Sequence, residues 1–445
     1  MEVTPCRVIG YYVTEKKNAK MNWSEFNNVC RNHGFSLVKI NLQESLEAQG
    51  PFFAIIHKIS DVIVKSSMGD SEATAALNNM ESYIKLHPEV IVVDPLAGVR
   101  SLVDRSLYYR IVQDSDLAQD QVFMPTFVDL TSTDLSENLK RLKDAGITYP
   151  FVCKPSVAHG SDAHQMAVVF NEKGVADCKP PCVAQSFINH NAVLYKIFTV
   201  GHNFSVSERP SLKNFSASDN ETIFFSTSDV SKADSTSSLT VLDPEDLAAA
   251  PSSKPDSDRL KHIVSSLRKE LGMMLFGVDV VIEHGSGRYG IIDINIFPGY
   301  DGFPNFFQTL MDNILDTAST KNFGSLKKSR RMSDETEDSC SARKYEKLRH
   351  PKTNHLEAPP LFPKRGTLST VVNMENPTIR EYEQDDSGFD TGDSSDERKK
   401  KWGVAGGRGG YTRKVAQQAR GFSTSVQPSL NNSCENSMRG GLSGV

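Results

Sequence analysis

The chain has 445 residues, 38% hydrophobic and 24% charged, which is room for two or three domains of ordinary globular composition. Its charge is uneven: residues 323–445 carry 21 Lys and Arg against 16 Asp and Glu, whereas residues 1–322 carry 29 against 39. An acidic body points away from nucleic acid as a partner, so any polyanion must be held by a local basic pocket.

The N-terminal MEVTPCRVIGYYV runs straight into a strand pattern, without the basic start and apolar core of a signal peptide. Arg7–Val13 reads as a strand. Residues 22–33 follow as a helix with Trp23, Phe26, Val29 and Cys30 on one face. Further strands are expected at 35–40 and 52–57, a helix near 70–87, a strand at Val90–Val93 and one helix over about 96–113. Alternation of this kind implies a parallel sheet covered on both faces. From 120 to 190 the pattern is mixed, with strands at 151–154, 166–170 and 182–186. Beyond 191 come more strands, two Ser/Thr-rich loops, a helix near 255–271, strands at 276–282 and 290–296, and a helix over about 303–316. After about 322 apolar periodicity gives way to runs such as KKSRRMSDETEDS and DDSGFDTGDSSDERKKK, which predict a disordered tail. No segment has the uncharged length of a membrane span. The seven cysteines are scattered without a CxxC pair, so neither a disulfide framework nor a zinc site is expected. The cytoplasm is the expected compartment, with the nucleus as the alternative.

The chemistry concentrates in Ile291–Tyr300, IIDINIFPGY. Asp293 and Asn295 are two apart in a strand and so face the same way, while Ile292, Ile294 and Ile296 face the core. Such an oxygen pair suits Mg²⁺, which takes one or two carboxylates and fills its other positions with water and phosphate. Asp279, in the apolar strand 276–282, would add a third oxygen ligand. Lys154 and Lys196 lie inside apolar strands, where a cation is costly without an anion, and they flank the Ala158-His159-Gly160-Ser161 loop. Lys16 and Lys17 follow the first strand and His57-Lys58 follows the third. Ligands of open parallel sheets bind beyond such strand ends, so these cations suit an acidic small molecule. No GxxxxGK[ST] loop and no HRD, DFG or GxGxxG set is expected to hold the nucleotide, which rules against P-loop and protein-kinase chemistry.

With those residues in place, the chain resembles the inositol 1,3,4-trisphosphate 5/6-kinase (inositol-tetrakisphosphate 1-kinase) family of ATP-grasp enzymes over about residues 7–316. The segments that carry the resemblance are GYYVTEKK, IIHKISDVI, DPLAGVRSLVDRS, PFVCKPSVAHGSDAHQMAVVF, PPCVAQSFINHNAVLYKIFTVG, RPSLKNFSA, LFGVDVVI and IIDINIFPGY. It implies an α/β, ATP-grasp fold: an N-terminal parallel-sheet domain binding inositol phosphate (1–114), a central subdomain (115–190), a C-terminal subdomain with the metal site (191–322) and the disordered tail (323–445).

The resemblance further implies that Asp279, Asp293 and Asn295 hold Mg²⁺, as two ions, and that Arg105, Lys154, Gln185, Lys196, Ser211, Thr227 and Ser231 contact ATP. Lys17, Lys58, Gly160, His164, Lys196, Arg209, Asn295 and Gly299 would line the inositol phosphate site, with Lys154 and Asp293 the catalytic pair. The reaction implied is phosphorylation of inositol 1,3,4-trisphosphate at the 5- or 6-hydroxyl and of inositol 3,4,5,6-tetrakisphosphate at the 1-hydroxyl, running in reverse as well. A monomer is expected. Pro155-Ser156 stands where many relatives carry Thr-Arg, which removes a phosphate-binding arginine, and Thr227 replaces a serine but keeps the hydroxyl. A carboxylate–amine ligase and a non-catalytic ATP-binding regulator are the alternatives to a kinase.

Overall fold

The computed structural model describes residues 7–249 and 255–331. Its first sheet is fully parallel, in the order β2-β1-β3-β4, from β1 (Val8–Tyr12), β2 (Ser36–Lys39), β3 (Ala54–His57) and β4 (Ile91–Val93). The unbroken apolar run of β3 is buried along its whole length, as expected of a strand covered by helices on both faces. The helix Ser71–Leu86 on this sheet starts at Asp70, whose carboxylate accepts the Ala73 N–H at 2.9 Å and caps the turn.

Two five-stranded sheets make up the remainder. The central one is antiparallel, in the order β12-β8-β7-β9-β6, and the C-terminal one has the order β11-β10-β13-β14-β5. Their strands are β5 (Val122–Phe123), β6 (Phe127–Leu130), β7 (Phe151–Pro155), β8 (Gln165–Val169), β9 (Cys182–Ser186), β10 (Val193–Val200), β11 (Asn203–Pro210), β12 (Ile223–Ser226), β13 (Leu275–Ile282) and β14 (Tyr289–Ile296). The sheets exchange strands across residue 190: β5 joins the C-terminal sheet and β12 joins the central one. Each sheet therefore needs chain from both sides of that point to be complete.

Where one helix is expected over about 96–113, two form, Leu96–Val103 and Arg105–Gln113. Asp104 between them is extended, bridges to Val157, and caps the second helix by accepting the Leu107 N–H at 3.1 Å. That break turns Arg105 inward. The last helix, Phe306–Arg331, buries Leu310, Met311 and Ile314 and runs past the tail boundary expected at residue 323. The rest of the expected disordered tail, from residue 332, lies outside the described residues. The first sheet is tied to the C-terminal one by Asp94, whose buried carboxylate accepts the backbone N–H groups of Met274 and Leu275.

Candidate active site

The metal strand departs from the strict alternation expected of it: a bulge opposite Asp279 and Val280 leaves Ile292 unpaired and on the cavity lining rather than in the core, while Ile294 and Ile296 are buried as expected. Lys196 on β10 pairs with Asp279 on β13, and Asp279 pairs with Asp293 on β14, so a cation and two carboxylates lie in one row across three strands. Lys196 Nζ is 3.5 Å from Asp279 Oδ1, and both side chains are buried. Asn295 Nδ2 donates to Asp279 Oδ2 at 3.4 Å. Burial, reinforced by Asp293, pushes the Asp279 carboxyl up despite Lys196 and Asn295. Burial also opposes ionisation of Asp293, but Arg105, Lys154, the Tyr108 hydroxyl and Lys196 outweigh it and hold that carboxyl down.

Asp279 Oδ1 is buried and accepts no hydrogen bond, and Arg105 Nε is buried and donates none. Arg105 Nε lies 3.9 Å from Asp293 Oδ1, and its terminal nitrogens donate to the carbonyls of Pro155, Val157 and Ala163. Two carboxylates beside an amide fit a hard cation. Among the described residues no cluster of three His, Cys, Asp or Glu forms a closed metal cage. Two carboxylates and an amide are instead the partial set expected for an ion shared with phosphates.

Lys154 lies across the cleft on β7. Its Nζ donates to the Ile292 carbonyl at 2.8 Å and to the Tyr109 hydroxyl at 3.1 Å, and burial lowers it to about 8. The Tyr109 hydroxyl also lies 3.2 Å from the Ile292 carbonyl and 3.4 Å from Gln185 Oε1. The Tyr108 hydroxyl donates to Asp293. These tyrosines were not legible as site residues: they belong to a short helix whose only sequence signal is its apolar face. Between the central and C-terminal sheets lies a cavity onto which Lys154, Gln185, Ser211, Thr227, Ser231, Asp279 and Asp293 all open. Ser211 is fixed there by His190, whose Nε2 is 2.7 Å from its Oγ. Of the residues expected to contact ATP, Arg105 and Lys196 stand behind the cavity wall, on Asp293 and Asp279.

The residues expected at the acceptor are spread over several elements. Lys17 is buried, donates to the Pro298 carbonyl at 2.7 Å and lies over the Phe297 ring, next to Gly299. His164 Nδ1 shares a 3.1 Å hydrogen bond with Thr227 Oγ1. Burial first, then Arg105, Lys196 and Lys58, lower His164 to about 4, against the pull of Asp293. It therefore meets a ligand at neutral pH as a neutral hydrogen-bonding group. The same charges place Lys58 in this neighbourhood. Arg209 is lowered by burial and faces Asp301 and Asp279. Gly160 has φ +92°, a conformation costly for a side chain, and nothing lies within 4 Å of where its Cβ would be. Gly285-Ser286-Gly287-Arg288-Tyr289-Gly290 satisfies GxGxxG, but it forms the β13–β14 hairpin turn rather than opening a helix, so it is no phosphate cradle.

Models of the inositol 1,3,4-trisphosphate 5/6-kinase ATP-grasp domain and pre-ATP-grasp domain match residues 116–316 and 8–99. The chain is 43% identical over 310 residues to an inositol-tetrakisphosphate 1-kinase of Xenopus laevis and 41% identical over 310 residues to one of Danio rerio; each match covers 69% of this chain and 78% of the relative. An inositol-tetrakisphosphate 1-kinase 4 of Glycine max is 31% identical over 319 residues, covering 70% of this chain and 89% of that one. Among solved structures, D-cycloserine synthetase DcsG aligns with a TM-score of 0.46 at 11% identity, over 70% of this chain and 99% of that one.

Proposed function

The chain belongs to the inositol 1,3,4-trisphosphate 5/6-kinase family, and we propose that it transfers the γ-phosphoryl group of ATP to a hydroxyl of a soluble inositol polyphosphate. It is an ATP-grasp kinase. The acceptors we assign are inositol 1,3,4-trisphosphate at the 5- or 6-hydroxyl and inositol 3,4,5,6-tetrakisphosphate at the 1-hydroxyl, with transfer in both directions. The ligase and regulator readings are not favoured by relatives named as inositol kinases.

The observation that carries the assignment is the row of Lys196, Asp279 and Asp293 across three strands, whose two carboxylates open onto the inter-sheet cavity that Lys154 also lines. Phosphoryl transfer needs positioning and charge neutralisation more than covalent catalysis, and these groups supply both. Asp279, Asp293 and Asn295 would hold Mg²⁺, as two ions, which when bound neutralises phosphate charge. Lys154, fixed by Tyr109 and the Ile292 carbonyl, presents its charge to the nucleotide. Gln185 sits at the adenine end, and Ser211, Thr227 and Ser231 contribute hydroxyls. Lys17, Lys58, Arg209 and the neutral His164 orient the acceptor, with the backbone at Gly160 and Gly299 close by. Among the described residues no helix is long and apolar enough to cross a membrane.

Lys17→Ala and Lys58→Ala test the acceptor side. Each lost charge-assisted contact should cost about 1.5–3 kcal/mol, or about 10- to 150-fold in KM for the inositol phosphate. KM for ATP should stay within about twofold. Equal rises in both KM values at an unchanged melting temperature would place the lysines elsewhere.

A further inference from the structure

The helix Arg105–Gln113 meets β14 through one carboxylate oxygen. The Tyr108 hydroxyl donates to Asp293 Oδ1. Arg105, three residues earlier and so on the same helix face, brings its Nε to 3.9 Å from that same oxygen. Neither group hydrogen-bonds Oδ2. Asp293 lines the inter-sheet cavity, which leaves Oδ2 as the oxygen it offers to a ligand there. The Tyr108 ring is wholly buried and packs edge-on against the Tyr109 ring, 4.8 Å between centroids, so the hydroxyl has little room to swing away. Asp279 is engaged on both oxygens. Asn295 donates to its Oδ2, and Lys196 lies 3.5 Å from its Oδ1.

We propose that Tyr108 is a positioning residue that sets metal preference: by engaging Oδ1 it makes Asp293 a one-oxygen ligand, which suits Mg²⁺ and disfavours the larger Ca²⁺. The proposal rests on the assignment of Asp293 to the metal. Mg²⁺ is small, keeps several waters and is bound through one or two carboxylates. Ca²⁺ gathers about six to eight oxygens and readily takes both oxygens of one carboxylate. A hydrogen bond on Oδ1 acts against Ca²⁺ in two ways. It fixes the rotation of the carboxylate, and it competes for the second contact. Groups that hydrogen-bond a ligating carboxylate tune metal affinity by about 10- to 100-fold.

A buried tyrosine hydroxyl needs some partner, so the alternative is a hydrogen bond that serves the fold alone. Losing such a bond would lower the melting temperature and leave the preference between ions where it was. The two roles therefore separate in the ratio of affinities, which a uniform loss of stability does not move.

Thermal melting of the full chain with saturating ADP and rising Mg²⁺ or Ca²⁺ gives an apparent Kd for each ion from the upward shift, and melts without ion report folding. The parent should bind Mg²⁺ more tightly than Ca²⁺. Tyr108→Phe keeps the ring and should melt within a few degrees of the parent without ion. Its ratio of the two Kd values should shift about tenfold toward Ca²⁺. Ca²⁺ should then also inhibit its Mg²⁺-supported turnover at about tenfold lower concentration. Tyr109→Phe, which removes a partner of Lys154 rather than of Asp293, should leave the ratio unchanged. Equal changes for both ions in Tyr108→Phe, or none, overturn the proposal, as does a parent that binds Ca²⁺ as tightly as Mg²⁺. If Asp293→Asn keeps the parent's ion-dependent shift, the metal assignment beneath the proposal falls with it.

Discussion

Removing one oxygen atom, by Tyr109→Phe, probes how the nucleotide lysine is held. The Tyr109 hydroxyl is one of two groups that hydrogen-bond Lys154 Nζ, the other being the Ile292 carbonyl. The Tyr109 ring is fully buried and keeps its packing in the variant, so the change is confined to polar contacts. The Ile292 carbonyl retains Lys154 as a donor, so the principal loss falls on the ammonium, already lowered to about 8 by burial. Leaving a buried polar group short of a partner costs about 1–3 kcal/mol. At about 2 kcal/mol, kcat/KM for ATP should fall about 30-fold if the cost is borne in nucleotide complexes. Steady-state kinetics with each substrate varied in turn, alongside thermal melting, separate the outcomes. A loss confined to the ATP terms, with a melting temperature lowered by a few degrees at most, is expected. Unchanged kinetics for ATP, or equal losses toward both substrates, would refute the assignment of Lys154 to the nucleotide.

Asp293→Ala should abolish turnover and also lower stability by about 3–5 kcal/mol, because Arg105 and Lys154 then lose the carboxylate between them; denaturant melts measure the second effect. Asp293→Asn, which keeps the acceptor oxygen for Tyr108, should lose turnover with a smaller stability change. Stability should also fall in mild acid through His57 and His190, each lowered to about 4 by burial. Their ordinary value in the unfolded chain is about 6.5, so the unfolded state binds more protons between the two values. Stability is thus complete above about pH 6.5 and is lost as pH falls toward 4, by about 2 kcal/mol per histidine at pH 5. Melts of His190→Asn against the parent at pH 7.5 and pH 5 check the sign: the parent should lose more on acidification than the variant.

Local rules made much of the site legible. Two-residue alternation put Asp293 and Asn295 on one face, and a cation inside an apolar strand marked Lys154 and Lys196. Both signals are properties of a single strand; the alternation failed at Ile292, where a bulge set by pairing with the neighbouring strand puts that residue on the cavity lining. What escaped was set by contacts between elements. The helix break at Asp104 depends on a bridge to Val157, more than fifty positions away, and it is what aims Arg105 at Asp293. Tyr108 and Tyr109 read as ordinary apolar helix residues until β14 packs against them. The exchange of β5 and β12 between sheets follows from pairing alone, since neither short strand carries a pattern of its own. His164 entered the reading through the family resemblance alone; burial, then Arg105, Lys196 and Lys58, lower it to about 4.

The most direct measurement is incubation of the protein with Mg²⁺ and γ-labelled ATP against a panel of inositol tris- and tetrakisphosphates, with product isomers resolved by chromatography. Label should appear in inositol 1,3,4,5- and 1,3,4,6-tetrakisphosphate from the trisphosphate, and in the pentakisphosphate from inositol 3,4,5,6-tetrakisphosphate. Asp293→Asn should form none. No labelled inositol phosphate from any acceptor, by protein that binds ATP and melts cooperatively, would contradict the kinase assignment.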